Sequence, residues 1–220
     1  MRKRLAYAMK LAGGISKTKK SYFMKKIYFI LLIGGLFACT PSSNNGQDDA
    51  STTYDLIKIT TPNGEIVFLL SDETPNHKKS FMNLVEEDYF DAYTFNRVID
   101  NFVAQGGCPD TPEGFSDSPY LLDPEFNQKL RHDYGAVGAG RDDNPEMLSA
   151  GCQFYIVQNK EGLHRLDDKY TVFGKVIKGM DVVDAIVKVE TDSIDQPLVP
   201  VTLKIELIQM DSLELIKFRG

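Results

Sequence analysis

Tryptophan is absent from the 220 residues, and cysteine and histidine occur only three times each. His77, His132 and His164 stand far apart, and with the cysteines they form no zinc-ligand spacing. His77 falls on a predicted exposed helix face and the other two fall in loops, so we predict solvated or capping roles for them. We therefore predict that the protein has no metal site and needs no cofactor.

Long apolar runs are also missing. The run from Ile27 to Phe37 has eleven residues, whereas a transmembrane helix needs about 20. It follows two lysines and ends at Ala38-Cys39, an order typical of a secretory signal peptide. The segment Leu-Phe-Ala-Cys also resembles the bacterial lipobox. We predict that residues 1–38 are a signal peptide and that Cys39 is lipidated; the alternative is an uncleaved N-terminal anchor.

Two further features bear on the N-terminal region. Met24 restarts the signal pattern, so residues 1–23 are either a mis-called start or an extended basic region. Residues 39–53 contain almost nothing apolar after the cysteine, and we predict that they form a flexible tether. The expected location is therefore that of a membrane-anchored lipoprotein, in the outer membrane and facing the periplasm.

Acidic residues are absent from the predicted signal peptide and concentrated in the rest. Residues 1–38 hold nine of the 25 basic residues and none of the 31 acidic ones, so residues 39–220 carry 16 basic and 31 acidic residues, a net charge of −15. Such a surface repels phosphate backbones, which excludes nucleic acid as an expected partner. The length after residue 38 suits one domain with its own core, which we expect to be a monomer.

Short β-branched runs separated by turn residues dominate from Tyr54 onward. Asn63-Gly64 between two such runs predicts a hairpin of residues 55–60 and 65–70. Thr74-Pro75 predicts an N-cap and first position for a helix through about Glu87, and a second helix is predicted over 180–187. Further strands are predicted over 93–99, 102–105, 136–139, 153–157, 171–177 and 201–210. This pattern indicates a mainly β fold, an antiparallel barrel with helices at its ends, leaving 211–220 as an unassigned C-terminal tail.

The most informative segment, Phe95 to Gly107, reads Phe-Asn-Arg-Val-Ile-Asp-Asn-Phe-Val-Ala-Gln-Gly-Gly. Three later segments are Gly-Ala-Val-Gly-Ala-Gly-Arg (135–141), Gly-Cys-Gln-Phe-Tyr-Ile (151–156) and Leu-Asp-Asp-Lys-Tyr-Thr-Val-Phe-Gly-Lys-Val (166–176). In this order the four segments resemble the signature of the cyclophilin family of peptidyl-prolyl cis-trans isomerases. The resemblance covers about residues 54–210.

The resemblance implies a closed antiparallel eight-stranded β-barrel capped by two α-helices. It implies isomerase activity on proline-containing unfolded or partly folded polypeptides, with catalytic residues Arg97, Phe102 and Gln105. The substrate-binding residues that it implies are Ala139, Gly140, Arg141, Gln153, Tyr155, Leu166, Tyr170 and Phe173. The alternative is a non-catalytic proline-peptide-binding module or holdase chaperone on the same fold, since a fold alone does not fix a function.

The chemistry of prolyl isomerisation suits these residue types. Rotation about an amide bond has a barrier of about 18–20 kcal/mol, because resonance must be broken. No nucleophile or metal is needed; a donor that stabilises the imide nitrogen as conjugation is lost, beside an apolar pocket, suffices. Arg97 can be that donor because its guanidinium is permanently charged and rich in N–H groups. The structural alternative is that Arg97 forms only a salt bridge and that Phe102, Leu166 and Phe173 are core residues.

The sequence departs from the family pattern at several positions. Tyr155 replaces a common Phe, Ala139 a Met, Tyr170 a His and Arg141 an Asn. Arg165 stands where many relatives have a Trp that contributes to cyclosporin binding, which implies weak binding of that drug. Cys108 and Cys152 are either a disulfide or two ordinary buried thiols, and the sequence leaves both open.

Overall fold

The computed structural model describes residues 52–110 and 121–219, and the predicted signal peptide, Cys39 and most of the predicted tether lie outside these ranges. The strands are β1 Thr53–Thr61, β2 Gly64–Leu70, β3 Thr94–Val98, β4 Val103–Gly107, β5 Leu121–Leu122, β6 Ala136–Ala139, β7 Ser149–Ala150, β8 Gln153–Val157, β9 Val172–Lys178, β10 Val201–Thr202 and β11 Lys204–Asp211. The helices are α1 Pro75–Glu86, α2 Met180–Ile186 and α3 Ser212–Arg219, with short 3-10 turns at Tyr89–Ala92 and His164–Leu166. Within these ranges no helix is both long and apolar enough to cross a bilayer.

Nine strands form one antiparallel sheet in the order β10-β3-β4-β8-β6-β9-β2-β1-β11, and β5 pairs with β7 separately. The two outermost strands, β10 and β11, follow each other in the chain with only Leu203 between them. One chain segment therefore pairs with β3 through Val201 and with β1 through the residues after Leu203, so it joins both edges of the sheet. Counted as one kinked strand, β10 and β11 complete the predicted eight-stranded antiparallel barrel.

Aromatic side chains fill the interior of the barrel. Phe81 of α1 lies 5.4 Å from Phe173, 5.7 Å from Phe154 and 5.8 Å from Phe68, measured between ring centroids. Because neighbouring residues of a strand face opposite sides, Phe154 packs in this core whereas Tyr155 packs on the outer face of β8. A second, smaller apolar cluster therefore covers the outer face and includes Phe102 at its margin.

The hairpin prediction is confirmed, since Thr61 pairs with Gly64 across the turn. The prediction that Thr74 caps the start of α1 is wrong, because its side chain makes no capping hydrogen bond. Instead, the distant Glu125 carboxylate accepts hydrogen bonds from the backbone N–H of Asn76 at 3.1 Å and of His77 at 2.9 Å. A carboxylate suits the positive end of the helix dipole, and only the folded chain brings Glu125 there.

Two questions that the sequence leaves open are answered by the structure. The tail that carried no assignment forms α3, whose Leu215 packs on Leu56 and Val67 on the outer face of the sheet. The prediction of two helices was therefore one short. Cys108 and Cys152 form a disulfide with Cα atoms 5.5 Å apart, which joins the residue after β4 to the residue before β8.

Candidate active site

An open cleft of about 170 Å³ lies on the outer face of β3, β4 and β8. We call this site the cleft. It is lined by Arg97, Phe102, Val103, Gln105, Asp110, Gly140, Arg141, Gln153, Tyr155, Leu166 and Tyr170. Nine of the eleven residues that the sequence implicated in catalysis or substrate binding are among them. Val103 and Asp110 are additions.

A β-bulge at Asn96 turns Arg97 into the cleft. Phe95 pairs with Gly106 and Arg97 pairs with the adjacent residue Gln105, so the register shifts by one residue. Without the shift, Phe95 and Arg97 would face the same side of the strand. With it, Phe95 is buried in the barrel while the half-buried Arg97 lies outside, directly across from Gln105. The Asn96 side-chain amide donates to the Gly107 carbonyl at 2.8 Å, which stabilises the bulge.

Gln153 is fixed at the far end of the cleft. Its Nε2 donates to the Cys108 carbonyl at 3.0 Å and to Asp110 Oδ1 at 2.9 Å. The disulfide partner Cys152 precedes Gln153, and its carbonyl accepts the Cys108 N–H at 2.9 Å. A Cβ at Gly140 would collide with the Gln153 side chain in this position, so the glycine leaves space for it. The cross-link and these hydrogen bonds leave Gln153 little freedom.

Tyr155 is held from behind by a buried histidine. His132 Nε2 lies 2.8 Å from the Tyr155 hydroxyl, and His132 Nδ1 lies 2.8 Å from Asp167 Oδ1. A Cβ at Gly138 would collide with the Tyr155 ring, so a glycine leaves space for the ring. In the neutral tautomer that fits this geometry, Nδ1–H donates to Asp167 and Nε2 accepts from the hydroxyl. We call Tyr155, His132 and Asp167 the relay.

The relay overturns the expectation of a solvated or capping role for His132, which is fully buried. The prediction of an exposed helix face for His77 is also wrong, because that side chain is buried under α1. The sequence gives one indirect signal, the hydroxyl that Tyr155 adds where relatives often have Phe. Burial lowers the pKa of His132, and the facing carboxylates of Asp167 and Asp133 offset this only in part, while nearby His164 lowers it further. Burial raises the pKa of the Tyr155 hydroxyl well above its usual value.

Asp167 is the anchor of the relay. Besides the His132 ring, it accepts the His132 backbone N–H at 2.9 Å and Arg131 Nε at 2.9 Å. Partial burial raises the pKa of Asp167, but the hydrogen bonds from His132 and Arg131 outweigh this and lower it to about 2. Asp167 therefore stays ionised throughout the physiological range. Because it follows Leu166 directly, it also fastens the loop that forms one wall of the cleft.

Cationic side chains stack on the rings at the rim. The Arg165 guanidinium carbon lies 5.0 Å from the centroid of the Phe102 ring, and that of Arg141 lies 4.6 Å from the centroid of the Tyr170 ring. Arg141 Nε also donates to the Lys169 carbonyl at 3.0 Å. These cation–π contacts stabilise the positions of the Phe102 and Tyr170 rings at the rim. Arg165 therefore lies beside Phe102, one of the residues that line the cleft.

Ala139 and Phe173 do not lie in the cleft. Both are buried in the barrel core, Ala139 near Phe154 and Phe173 against Phe81. The reason is the alternation of side chains along a strand, which places Gly140, after β6, at the cleft and Ala139 inside. The expectation that these two residues line the pocket is therefore replaced by a core role for each.

The buried histidines predict that stability decreases in mild acid. Burial lowers the pKa of both His132 and His77, so the unfolded chain binds more protons than the folded one once the pH falls below about 6.5. The folded state therefore keeps its full stability above that pH and loses part of it as the pH falls and the histidines favour the protonated, unfolded form. Asp167 does not contribute to this loss, because its pKa in the folded state is about 2. We expect the melting temperature to be lower at pH 5.0 than at pH 7.5 in calorimetry. Equal melting temperatures would contradict the neutral buried state.

The cleft combines apolar rings with amide and guanidinium groups, and the described residues contain no group of three or more potential metal ligands. Side-chain amides and N–H donors on both sides of an apolar floor suit the backbone and one apolar side chain of an extended peptide. The fold and the cleft thus define a β-barrel protein with a peptide-binding site.

Comparison with known proteins identifies the family. Residues 56–206 match the family described as cyclophilin type peptidyl-prolyl cis-trans isomerase/CLD. A peptidyl-prolyl cis-trans isomerase of Acinetobacter baylyi is 32% identical over 166 residues, covering 74% of this chain and 83% of the relative. Isomerase cyp18 of Streptomyces antibioticus is 34% identical over 161 residues, covering 67% of this chain and 95% of the relative. The chain belongs to the cyclophilin family of peptidyl-prolyl cis-trans isomerases.

Two comparisons concern length and fold. Isomerase CYP71 of Arabidopsis thaliana is 35% identical over 162 residues, but the chain spans only 24% of that relative's length. The crystal structure of a Cryptosporidium parvum cyclophilin type isomerase superposes with a TM-score of 0.60 at 24% identity, covering 70% of this chain and 98% of that one. At 24% sequence identity, this structural similarity supports the fold alone.

Proposed function

We propose that this cyclophilin isomerises prolyl bonds of extracytoplasmic proteins, as a monomer, with Arg97 as the group that stabilises the transition state. The observation that carries the proposal is the bulge at Asn96, which directs Arg97 over the cleft opposite Gln105. A bulge disrupts the strand pairing and is typically found where a side chain must be re-aimed. A purely structural Arg97 would not need it.

The proposed mechanism needs no covalent step. The proline ring enters beside Phe102 and Tyr155, and the peptide backbone lies along Gln105 and Gln153. As the prolyl C–N bond twists, its nitrogen becomes pyramidal and gains a lone pair. The Arg97 guanidinium donates to that lone pair, an interaction that exists only in the twisted state and therefore lowers the barrier.

Gln105 acts beside Arg97 in this proposal. It is almost fully buried and stands directly across the strand pair from Arg97, so it can orient the guanidinium and hold a substrate carbonyl. The related Cryptosporidium parvum structure was determined in the presence of the dipeptide Ala-Pro, and we propose that an Ala-Pro unit occupies the corresponding cleft here.

The decisive measurement is NMR exchange spectroscopy on a short Ala-Pro peptide with catalytic amounts of the purified domain. The proposal expects exchange cross-peaks between the cis and trans forms that grow with enzyme concentration. Binding of the peptide without accelerated exchange would instead indicate the non-catalytic peptide-binding module.

Membrane anchoring rests on the lipobox-like segment that ends at Cys39. We expect Cys39→Ala to move the protein from the membrane fraction to the soluble fraction, because stable anchoring takes acyl chains and an unlipidated acidic domain has no other hold. The measurement is fractionation followed by immunoblotting, with Cys108→Ala/Cys152→Ala as the control that removes cysteines but keeps the lipid. Persistence of Cys39→Ala in the membrane pellet would contradict the proposal.

A further inference from the structure

The loop of residues 190–200 runs beside Arg97 on the side away from Gln105. The Val98 N–H donates to the Asp195 carbonyl at 2.9 Å, and Val201 pairs with Phe95 further along β3. The five residues between these two contacts, 196–200, must therefore pass alongside Asn96 and Arg97. Asp195 also reaches the cleft directly, since its Oδ2 lies 3.8 Å from Arg97 Nε. We call residues 190–200 the flanking loop.

Hydrogen bonds within the flanking loop hold its backbone in a defined conformation. Asp192 Oδ1 accepts the backbone N–H of Ile194 at 2.9 Å and of Gln196 at 2.9 Å. Thr191 and Pro197 form an isolated β-bridge, and the Leu198 N–H donates to the Glu190 carbonyl at 2.9 Å. Asp195 adopts a left-handed conformation with φ of 64°. That conformation is uncommon for residues other than glycine, and here it persists because the surrounding hydrogen bonds determine it.

This rigid loop presents apolar side chains to solvent. Ile194 is 67% exposed, Leu198 60% and Val199 78%. In the part of the chain that the structure describes, only two other large apolar side chains are as exposed, Leu213 and Ile216 of α3. An exposed Leu or Ile is ordinary when single, but a group on an ordered loop beside an active site marks an interaction surface.

Two of the three acidic side chains of the flanking loop have partners within the protein. The Asp192 carboxylate is engaged by backbone N–H groups, and the Asp195 carboxylate faces Arg97. Glu190, Asp192 and Asp195 all precede Gln196, so the later stretch that holds Leu198 and Val199 carries no charged side chain. Because the loop is already ordered, binding of a partner costs little conformational entropy in the loop.

We propose that the flanking loop is an auxiliary binding site for apolar side chains that flank the target proline in an unfolded polypeptide. This inference rests on the proposed function, because the substrate must be a polypeptide whose prolyl bond lies at Arg97. A chain that continues from the cleft past Arg97 on the side away from Gln105 reaches Ile194 and Leu198 next. Unfolded polypeptides expose apolar residues near proline and folded ones bury them, so the site favours clients that still need folding.

The chain offers a matched pair of variants to test the site. Ile194→Ser/Leu198→Ser removes one isoleucine and one leucine from the flanking loop, and Leu213→Ser/Ile216→Ser removes the same two residue types from α3. The α3 pair lies beyond the far end of β11, an eight-residue strand about 26 Å long. Both pairs are similarly exposed, so neither change opens a cavity.

The experiment compares kcat/KM for three peptides by NMR exchange: a short Ala-Pro peptide, a longer one with Leu and Val around the same Ala-Pro, and an equally long one with Ser and Gln instead. For the wild type and the α3 variant, we expect kcat/KM to be about tenfold higher for the apolar long peptide than for the polar one. Partial burial of one or two apolar side chains accounts for a difference of this size. In the loop variant this preference should fall below about twofold.

The outcomes separate the two proposals. If the wild type does not accelerate exchange in the short peptide, the proposed isomerase function fails. If it isomerises the short peptide but shows no preference between the long ones, the auxiliary site is overturned. An equal loss of preference in the α3 variant would also overturn it, because the effect would then follow surface apolarity in general.

Discussion

Replacing Arg97 by alanine is expected to lower kcat/KM for an Ala-Pro peptide about 100- to 1,000-fold while the domain stays folded. The loss corresponds to removal of one preorganised donor, which is worth about 2.7–4 kcal/mol in comparable sites. Arg97 is half-buried at the cleft wall, and among the described residues its ion pair is the long contact with the exposed carboxylate of Asp195. Its removal leaves no buried charge unpaired, so the free energy of unfolding should change by less than about 1 kcal/mol.

Arg165→Ala is the matched control. It removes a second guanidinium from the same rim, but Arg165 stacks on the Phe102 ring instead of facing the peptide bond. We expect kcat/KM to change less than about fivefold in this variant. Arg97→Lys should recover little, because an ammonium group lacks the planar fork of donors. An Arg97→Ala enzyme within threefold of the wild type, by exchange spectroscopy and with an unchanged melting curve, would contradict the proposed mechanism.

Local patterns in the sequence predict the strands and helices, whereas most residues of the cleft follow from the resemblance to the cyclophilin family. The hairpin at Asn63-Gly64, the two predicted helices and the barrel strands follow from turn chemistry and periodicity. The position of Arg97 is different. Strict alternation places it on the same side as Phe95, and only the bulge at Asn96, which is a property of the pairing with β4, separates the two. Family resemblance places Arg97 in the cleft without explaining how it gets there.

Contacts between distant segments could not be predicted in this way. Glu125 caps α1 from 48 residues beyond His77, and His132 meets Tyr155 and Asp167 across 23 and 35 residues. Nothing in the local sequence of a loop histidine distinguishes a solvated side chain from a buried one. Conversely, the matching motifs imply that Ala139 and Phe173 line the cleft, whereas strand alternation places them in the core.

The relay leads to the second large effect. Asp167→Asn should lower the free energy of unfolding by about 2–3 kcal/mol, because hydrogen bonds to a charged group contribute about 1.5–3 kcal/mol and Asp167 accepts several. The amide that replaces one oxygen cannot accept, so either Arg131 or His132 loses its partner. Since Asp167 adjoins Leu166 in the cleft wall, we also expect KM for the Ala-Pro peptide to rise about threefold or more.

Asp168→Asn provides the control for this change, because it makes the same substitution one residue further along. Asp168 has a left-handed φ of 57°, which asparagine tolerates as well as aspartate, and its carboxylate is not part of the relay. Denaturant unfolding of both variants should therefore show a clear loss only for Asp167→Asn. Tyr155→Phe leaves His132 Nε2 without its donor, and we expect this variant to raise KM more than it lowers kcat. If Asp167→Asn and Asp168→Asn were equally stable and equally active, the relay would be an incidental contact, and Tyr155 would be held in the cleft by packing over Gly138 alone.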